Sequence, residues 1–202
     1  MQIKALIFDI GGVLYRTVDT EPLRNWERHL GVDKGQLAEL VFTNPAAQLA
    51  TLGQAAPEDV WQEVSRQLSL SSECMSALRA DFWKGGEWDT ELLNFIRSVR
   101  PKFKTGIISD GWSDSRDNVK QYVDYILFDV IVFSAEEGIK KPDPEIFKRA
   151  LTRLDVEPQE AVFVDDRMPN VAGAKQIGMN GIHHVETPRT IKEIQQLFRT
   201  VS

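Results

Sequence analysis

Four short stretches of this sequence carry side chains able to do chemistry together. Asp9 closes the apolar run Ile3-Lys4-Ala5-Leu6-Ile7-Phe8 and is followed by Gly11-Gly12; Ser109-Asp110 follow Ile107-Ile108; Lys140-Lys141 lie a short loop beyond Phe133; and Asp165-Asp166 follow Val162-Phe163-Val164. A carboxylate can attack phosphorus or an activated carbon once a cation screens its repulsion from an anionic substrate. Asp9 has the position for that role. Gly11 and Gly12 let the main chain bend closely round a substrate, with N–H groups aimed at phosphate oxygens. Ser109 adds a hydroxyl donor, and Lys141 a compact positive charge for the nucleophile and the transferring group. Asp165 and Asp166 offer the hard oxygen ligands that Mg²⁺ prefers. Each stretch alone also reads as a turn or a helix cap; in this order, after these apolar runs, they read as one phosphate-handling site.

The elements that must position these residues follow from the pattern. Strands are expected at residues 3–8, 103–108, 130–133, 161–164 and 181–184, separated by helices at 90–99, 113–125, from Asp143-Pro144 onward, 170–177 and 189–199. Such alternation specifies an α/β fold with a doubly wound parallel sheet, whose strand ends lie side by side and gather ligands at their carboxyl edge. Residues 20–84 instead carry only helix-period segments, about four helices punctuated by Gly31, Asn44-Pro45, Gly53 and Pro57. The expected organisation is therefore a catalytic core of residues 1–14 and 86–202, with an inserted helical cap at 15–85 over the strand ends.

Composition narrows the partners. The 202 residues, 42% of them hydrophobic and 27% charged, suit one soluble globular unit with an insertion. A net charge of −6 with scattered basic residues argues against nucleic acid and anionic lipid. No apolar stretch is long enough to span a bilayer. Asp9 breaks the apolar start that could pass for a signal peptide, so a cytoplasmic location is expected. Cys74 is the single cysteine, which excludes an internal disulfide and a cysteine-cluster metal site. The expected partner is a small phosphorylated substrate, with monomer and dimer both compatible.

Taken together, Phe8-Asp9-Ile10-Gly11-Gly12-Val13-Leu14, Ile107-Ile108-Ser109-Asp110-Gly111, Gly138-Ile139-Lys140-Lys141-Pro142-Asp143-Pro144 and Val162-Phe163-Val164-Asp165-Asp166-Arg167 resemble the four motifs of the haloacid dehalogenase (HAD) superfamily, in the subgroup with a helical cap inserted after the first motif. The resemblance implies a Rossmann-like core and a Mg²⁺-dependent phosphatase in which Asp9 forms an aspartyl-phosphate. It further implies that Ser109 and Lys141 hold phosphate, and that Asp166 binds Mg²⁺ with Asp9 and the main-chain carbonyl of Gly11. Asp165 and Asn170 support that site.

Two positions depart from the family pattern. Gly11 stands where its phosphatases usually carry an acid that protonates the leaving group, help worth roughly 10²–10⁴-fold. Asp110 stands where Asn is more usual. The expectation is that Asp110 or Asp165 partly substitutes for the missing acid. The alternative is a catalytically weak or inactive protein of the same fold that binds a phosphorylated ligand or a partner. Haloacid dehalogenation fits less well, because those enzymes resemble one another in a Tyr at position 11 and lack the paired acids.

Outside the motifs, Arg16 is expected to meet a second anionic group of the substrate, and Trp112 either walls the pocket or simply packs. Trp26, Trp61 and Trp83 read as the core of the helical insertion. His183-His184 read as structural, since neighbours on a strand face opposite ways.

Overall fold

The computed structural model describes residues 2–100 and 102–199. Met1, Pro101 and residues 200–202, which the expected core segments include, lie outside the described residues. Along the chain, β1 (Ala5–Phe8) and β2 (Tyr15–Thr17) precede five helices, α1 (Glu21–Leu30), α2 (Gln36–Thr43), α3 (Pro45–Thr51), α4 (Pro57–Leu68) and α5 (Ser72–Asp81). Then come β3 (Gly86–Trp88), α6 (Thr90–Val99), β4 (Lys104–Ser109), α7 (Ser115–Lys120), β5 (Val130–Phe133), α8 (Ser134–Glu137) and α9 (Pro144–Leu154). The chain continues through β6 (Ala161–Asp165), α10 (Met168–Gln176), β7 (Asn180–His183) and α11 (Thr187–Arg199).

Strands β5-β4-β1-β6-β7 form one sheet, in that order and parallel throughout. Its central strands are buried on both faces, which is why they read as unbroken apolar runs rather than as alternating ones. Leu6 and Phe8 of β1 point to the face covered by α6 and α11, where Leu92, Ile96 and Ile194 pack. Ala5 and Ile7 point to the other face, against Ile146, Phe147 and Ala174 of α9 and α10. Helix starts follow local chemistry: Asp143 accepts from Glu145 N at 2.9 Å with Pro144 as the first helical residue, and Asp89 accepts from Leu92 N at 2.8 Å at the head of α6.

The insertion holds five helices rather than four, because Asn44-Pro45 ends one helix and caps the next: the Asn44 side chain accepts from Ala47 N at 2.8 Å. These helices enclose an apolar cluster of Leu37, Val41, Trp61, Val64 and Leu78. At its root β2 and β3 pair antiparallel, Tyr15 opposite Trp88, a two-stranded ribbon additional to the expected strands. The helix expected at 113–125 is shorter: α7 ends at Lys120, and a 3-10 turn at Tyr125–Leu127 leads into β5. Among the described residues no helix is long and apolar enough to cross a membrane.

The loop after α3 rests on α8. Gly53, at φ +71°, lies so close to the carbonyl of Ala135 that any side chain there would overlap it. Beside it, Lys140 donates to Gln48 Oε1 at 2.6 Å. The insertion thus contacts the rest of the chain at α8 and Lys140.

Candidate active site

Parallel pairing brings the four motifs to one place. Phe8 lies opposite Ile107 and Val164, so Asp9, Ser109 and Asp165 leave the sheet together. Asp9 is held by its neighbours: its N–H donates to Val164 O at 2.9 Å, and its Oδ1 accepts from Ile10 N at 2.7 Å. Its Oδ2 lies 2.9 Å from Lys141 Nζ, with both side chains buried. Lys141 Nζ also donates to Asp165 Oδ2 at 2.7 Å and to Ile108 O at 3.2 Å. One ammonium group therefore bridges the two central carboxylates.

Asp165 is fully buried and its oxygens are fully used. Beyond Lys141 it accepts from Arg167 N at 2.8 Å and from Asn170 Nδ2 at 3.1 Å to each oxygen. The expectation that Asp165 could protonate a leaving group is corrected by this geometry, since it has no free oxygen and no exposure. Asn170 likewise supports Asp165 by donating to it. Asp166 is the more exposed acid, and a carboxylate oxygen from each of Asp9, Asp165 and Asp166 lies within 4.8 Å of the others.

Electrostatically the cluster carries too much negative charge for one lysine. Burial, only partly offset by Lys141, pushes the Asp9 carboxyl up to about 7. Burial and then Asp165 raise Asp166. Burial works against the charge on Lys141, yet Asp9, Asp165 and Asp110 together hold its pKa above the ordinary lysine value.

The loop from Asp9 to Tyr15 is closed by Tyr15 N donating to Ile10 O and Gly12 N to Tyr15 O, both at 2.9 Å. Gly12's N–H is thereby spent, a correction to its expected place among the phosphate donors. Its role is steric: at φ +76° it leaves room for Asp166, whose carboxylate a side chain at residue 12 would overlap. At Gly11, by contrast, a Cβ would meet nothing within 4 Å. The Gly11 carbonyl accepts no hydrogen bond among the described residues. Ser109 is buried at the end of β4, and its hydroxyl makes no hydrogen bond among the described residues.

Asp110 turns to motif three, where its Oδ1 accepts from Lys141 N at 3.0 Å. Burial raises its pKa, against the pull of Lys141. Arg16 does not stand free for a substrate: its guanidinium pairs with Asp89 Oδ2 at 2.6 Å, and the Thr187 hydroxyl donates to the same oxygen. Trp112 packs into the apolar clusters of the helical insertion, its ring 6.2 Å from that of Phe42. Of the tryptophans expected in that core, Trp61 is buried and Trp26 partly so, but Trp83 stands 48% exposed. His183 Nε2 lies 2.9 Å from Asp166 O and His184 Nδ1 2.9 Å from Thr190 Oγ1, the structural roles expected of them.

The description of a haloacid dehalogenase-like hydrolase matches residues 3–178 of the chain. The chain belongs to this HAD-like hydrolase family. This HAD-like hydrolase is 28% identical to a sesquiterpene phosphatase of Aspergillus oryzae, over 96% of each sequence. Other curated relatives are longer, and the chain spans 19% to 40% of their length. Its fold is shared with a predicted HAD-like family hydrolase from Porphyromonas gingivalis, at a TM-score of 0.78 and 22% identity over 98% of this chain and 99% of the other. A HAD family enzyme from Bacteroides thetaiotaomicron, crystallised with magnesium and inorganic phosphate, superposes at a TM-score of 0.74 and 20% identity over 91% and 94%.

Proposed function

We propose that this HAD-like hydrolase is a Mg²⁺-dependent phosphomonoesterase for a small phosphorylated metabolite, with Asp9 as its nucleophile. The observation that carries the reading is the buried Asp9–Lys141 pair beside Asp166. The residues fit a divalent cation: three clustered carboxylates outnumber one lysine, the donors are hard oxygens, and Gly12 keeps Asp166 close to Asp9. Asp9, Asp166 and the Gly11 carbonyl would hold it. When bound, it would screen the repulsion between Asp9 and the phosphate and polarise a phosphoryl oxygen.

This chain's own residues do the rest. Lys141 and Ser109 receive the phosphate oxygens, and Lys141 stabilises the charge that grows on them in the transition state. The Asp9 carboxylate attacks phosphorus in line, the ester P–O bond breaks, and the alcohol leaves with a proton taken from water. A water molecule then cleaves the aspartyl-phosphate, releasing phosphate and restoring Asp9. The name of the Aspergillus relative, a phosphatase matched nearly end to end, supports the same reaction class.

A second reading, a protein that binds a phosphorylated ligand with little turnover, draws its support from Gly11, which leaves no side chain where the family's phosphatases usually carry the general acid. Phosphate release from a panel of small phosphorylated metabolites decides between the two, with and without Mg²⁺ and beside Asp9→Asn. Release that needs both Mg²⁺ and Asp9 supports the hydrolase; a panel with none supports the binding protein.

A further inference from the structure

We infer that the substrate's alcohol portion is apolar and uncharged, held against a wall formed by Phe42, Trp83 and Trp112. This rests on the phosphomonoesterase reading and adds the class of ester. Phe42 of α2 and Trp83, just beyond α5, are 46% and 48% exposed, and their ring centroids lie 5.9 Å apart. The Phe42 ring also faces Trp112, three residues beyond Ser109 of the phosphate site. The Trp83 main chain is tied to the residue that follows the first motif, since Tyr15 donates its hydroxyl to Trp83 O at 3.0 Å. Behind them Phe82 packs edge-on against both Trp61 and Trp83, so the exposed rings are braced rather than loose.

Single exposed aromatics are ordinary, but a contiguous group joined to two catalytic motifs marks a binding surface. The cationic side chains that flank these residues and their tethers in sequence are already paired. Arg16 is held by Asp89, Lys84 by Asp81 at 2.5 Å, and Lys140 by the Gln48 amide. A sugar phosphate or a diacid would bring polar groups to rings that cannot satisfy them. An ester of an apolar alcohol would cover the rings and leave its phosphate at Asp9.

Binding of benzylphosphonate and methylphosphonate to the Mg²⁺-loaded protein tests this, read by tryptophan fluorescence, beside turnover of 2-phenylethyl phosphate and glycerol 3-phosphate. Benzylphosphonate is expected to bind at least about tenfold more tightly than methylphosphonate, as burial of one aromatic ring provides. Phe42→Ala and Trp83→Ala should shrink that ratio toward one, while Phe42→Leu retains part of it. Ile126→Ser, on an exposed residue outside the wall, should leave it alone. A ratio near one in the wild-type protein, or one indifferent to both alanine variants, overturns the inference. So does a dimer that buries these rings and dissociates in Phe42→Ala without a change in the ratio. Selective binding without hydrolysis of either ester sinks the phosphomonoesterase and keeps the wall; hydrolysis without selectivity does the reverse.

Discussion

Asp166 reaches the site because residue 12 is glycine: at φ +76°, any Cβ on residue 12 would overlap the Asp166 carboxylate. The relationship is steric and adds to the Asp9 N–Val164 O hydrogen bond that already joins the first and fourth motifs. Gly12→Ala should therefore displace Asp166 and strain the left-handed turn, the latter costing about 1–2 kcal/mol. The expected result is a Mg²⁺ Kd weakened at least about tenfold in calorimetric titration, in the range seen when a metal ligand loses its support. Unchanged affinity would remove Asp166 from the proposed metal set.

Asp110 acts through Lys141. Its Oδ1 accepts from the Lys141 N–H, a bond that an amide oxygen also accepts, so Asp110→Asn should keep the lysine in place. The expected loss in kcat/KM is under about fivefold, of the order of one modest hydrogen-bond change, and equal for phenyl and alkyl phosphates. A loss concentrated in the alkyl esters would instead make Asp110 the proton donor.

The space beside Gly11 is open, with nothing within 4 Å of an added Cβ. Gly11→Asp should fold normally and supply the absent acid. Hydrolysis of alkyl phosphates is then expected to rise by about 10²-fold, the lower end of what general acid help provides, with far less gain for p-nitrophenyl phosphate, whose leaving group needs no proton. Equal gains for both esters would contradict that role.

Asp9 is expected to weaken the metal-free fold at neutral pH. Burial lifts its folded pKa to about 7, above the ordinary value of 3.8, so the native state binds more protons than the unfolded chain between those values. Stability from this group consequently falls as pH rises through that window, and the full penalty is present above it. Asp9→Asn removes the titration. Urea midpoints in a chelator should show the variant gaining on the wild-type protein between pH 5 and pH 8. A gap independent of pH would contradict the raised pKa.

Much of this arrangement is legible in the sequence. The three central strands β1, β4 and β6 stand out in the sequence because burial on both faces leaves no room for polar alternation. Asp143-Pro144 and the four motifs marked loop positions whose chemistry is local. Pairing between distant segments was not readable: Tyr15–Thr17 and Gly86–Trp88 are three-residue strands with no turn to join them, so nothing local signals the ribbon. Side-chain direction was equally hidden. The Asp165-Asp166 pair reads as two equivalent acids, yet one is buried under Lys141 and Asn170 while the other stays available. Arg16 and Trp83 depart from expectation for the same reason, because Asp89 and the Phe42 ring come from elsewhere in the chain.

The central claim is that Asp9 becomes phosphorylated during turnover. Rapid acid quenching of the Mg²⁺-loaded protein with p-nitrophenyl phosphate, followed by peptide mass mapping, tests it most directly. The expected result is one phosphoryl group on the peptide containing Asp9, absent in Asp9→Asn and absent when Mg²⁺ is chelated. Turnover that proceeds with the phosphoryl group on another residue, or that survives Asp9→Asn, would contradict it.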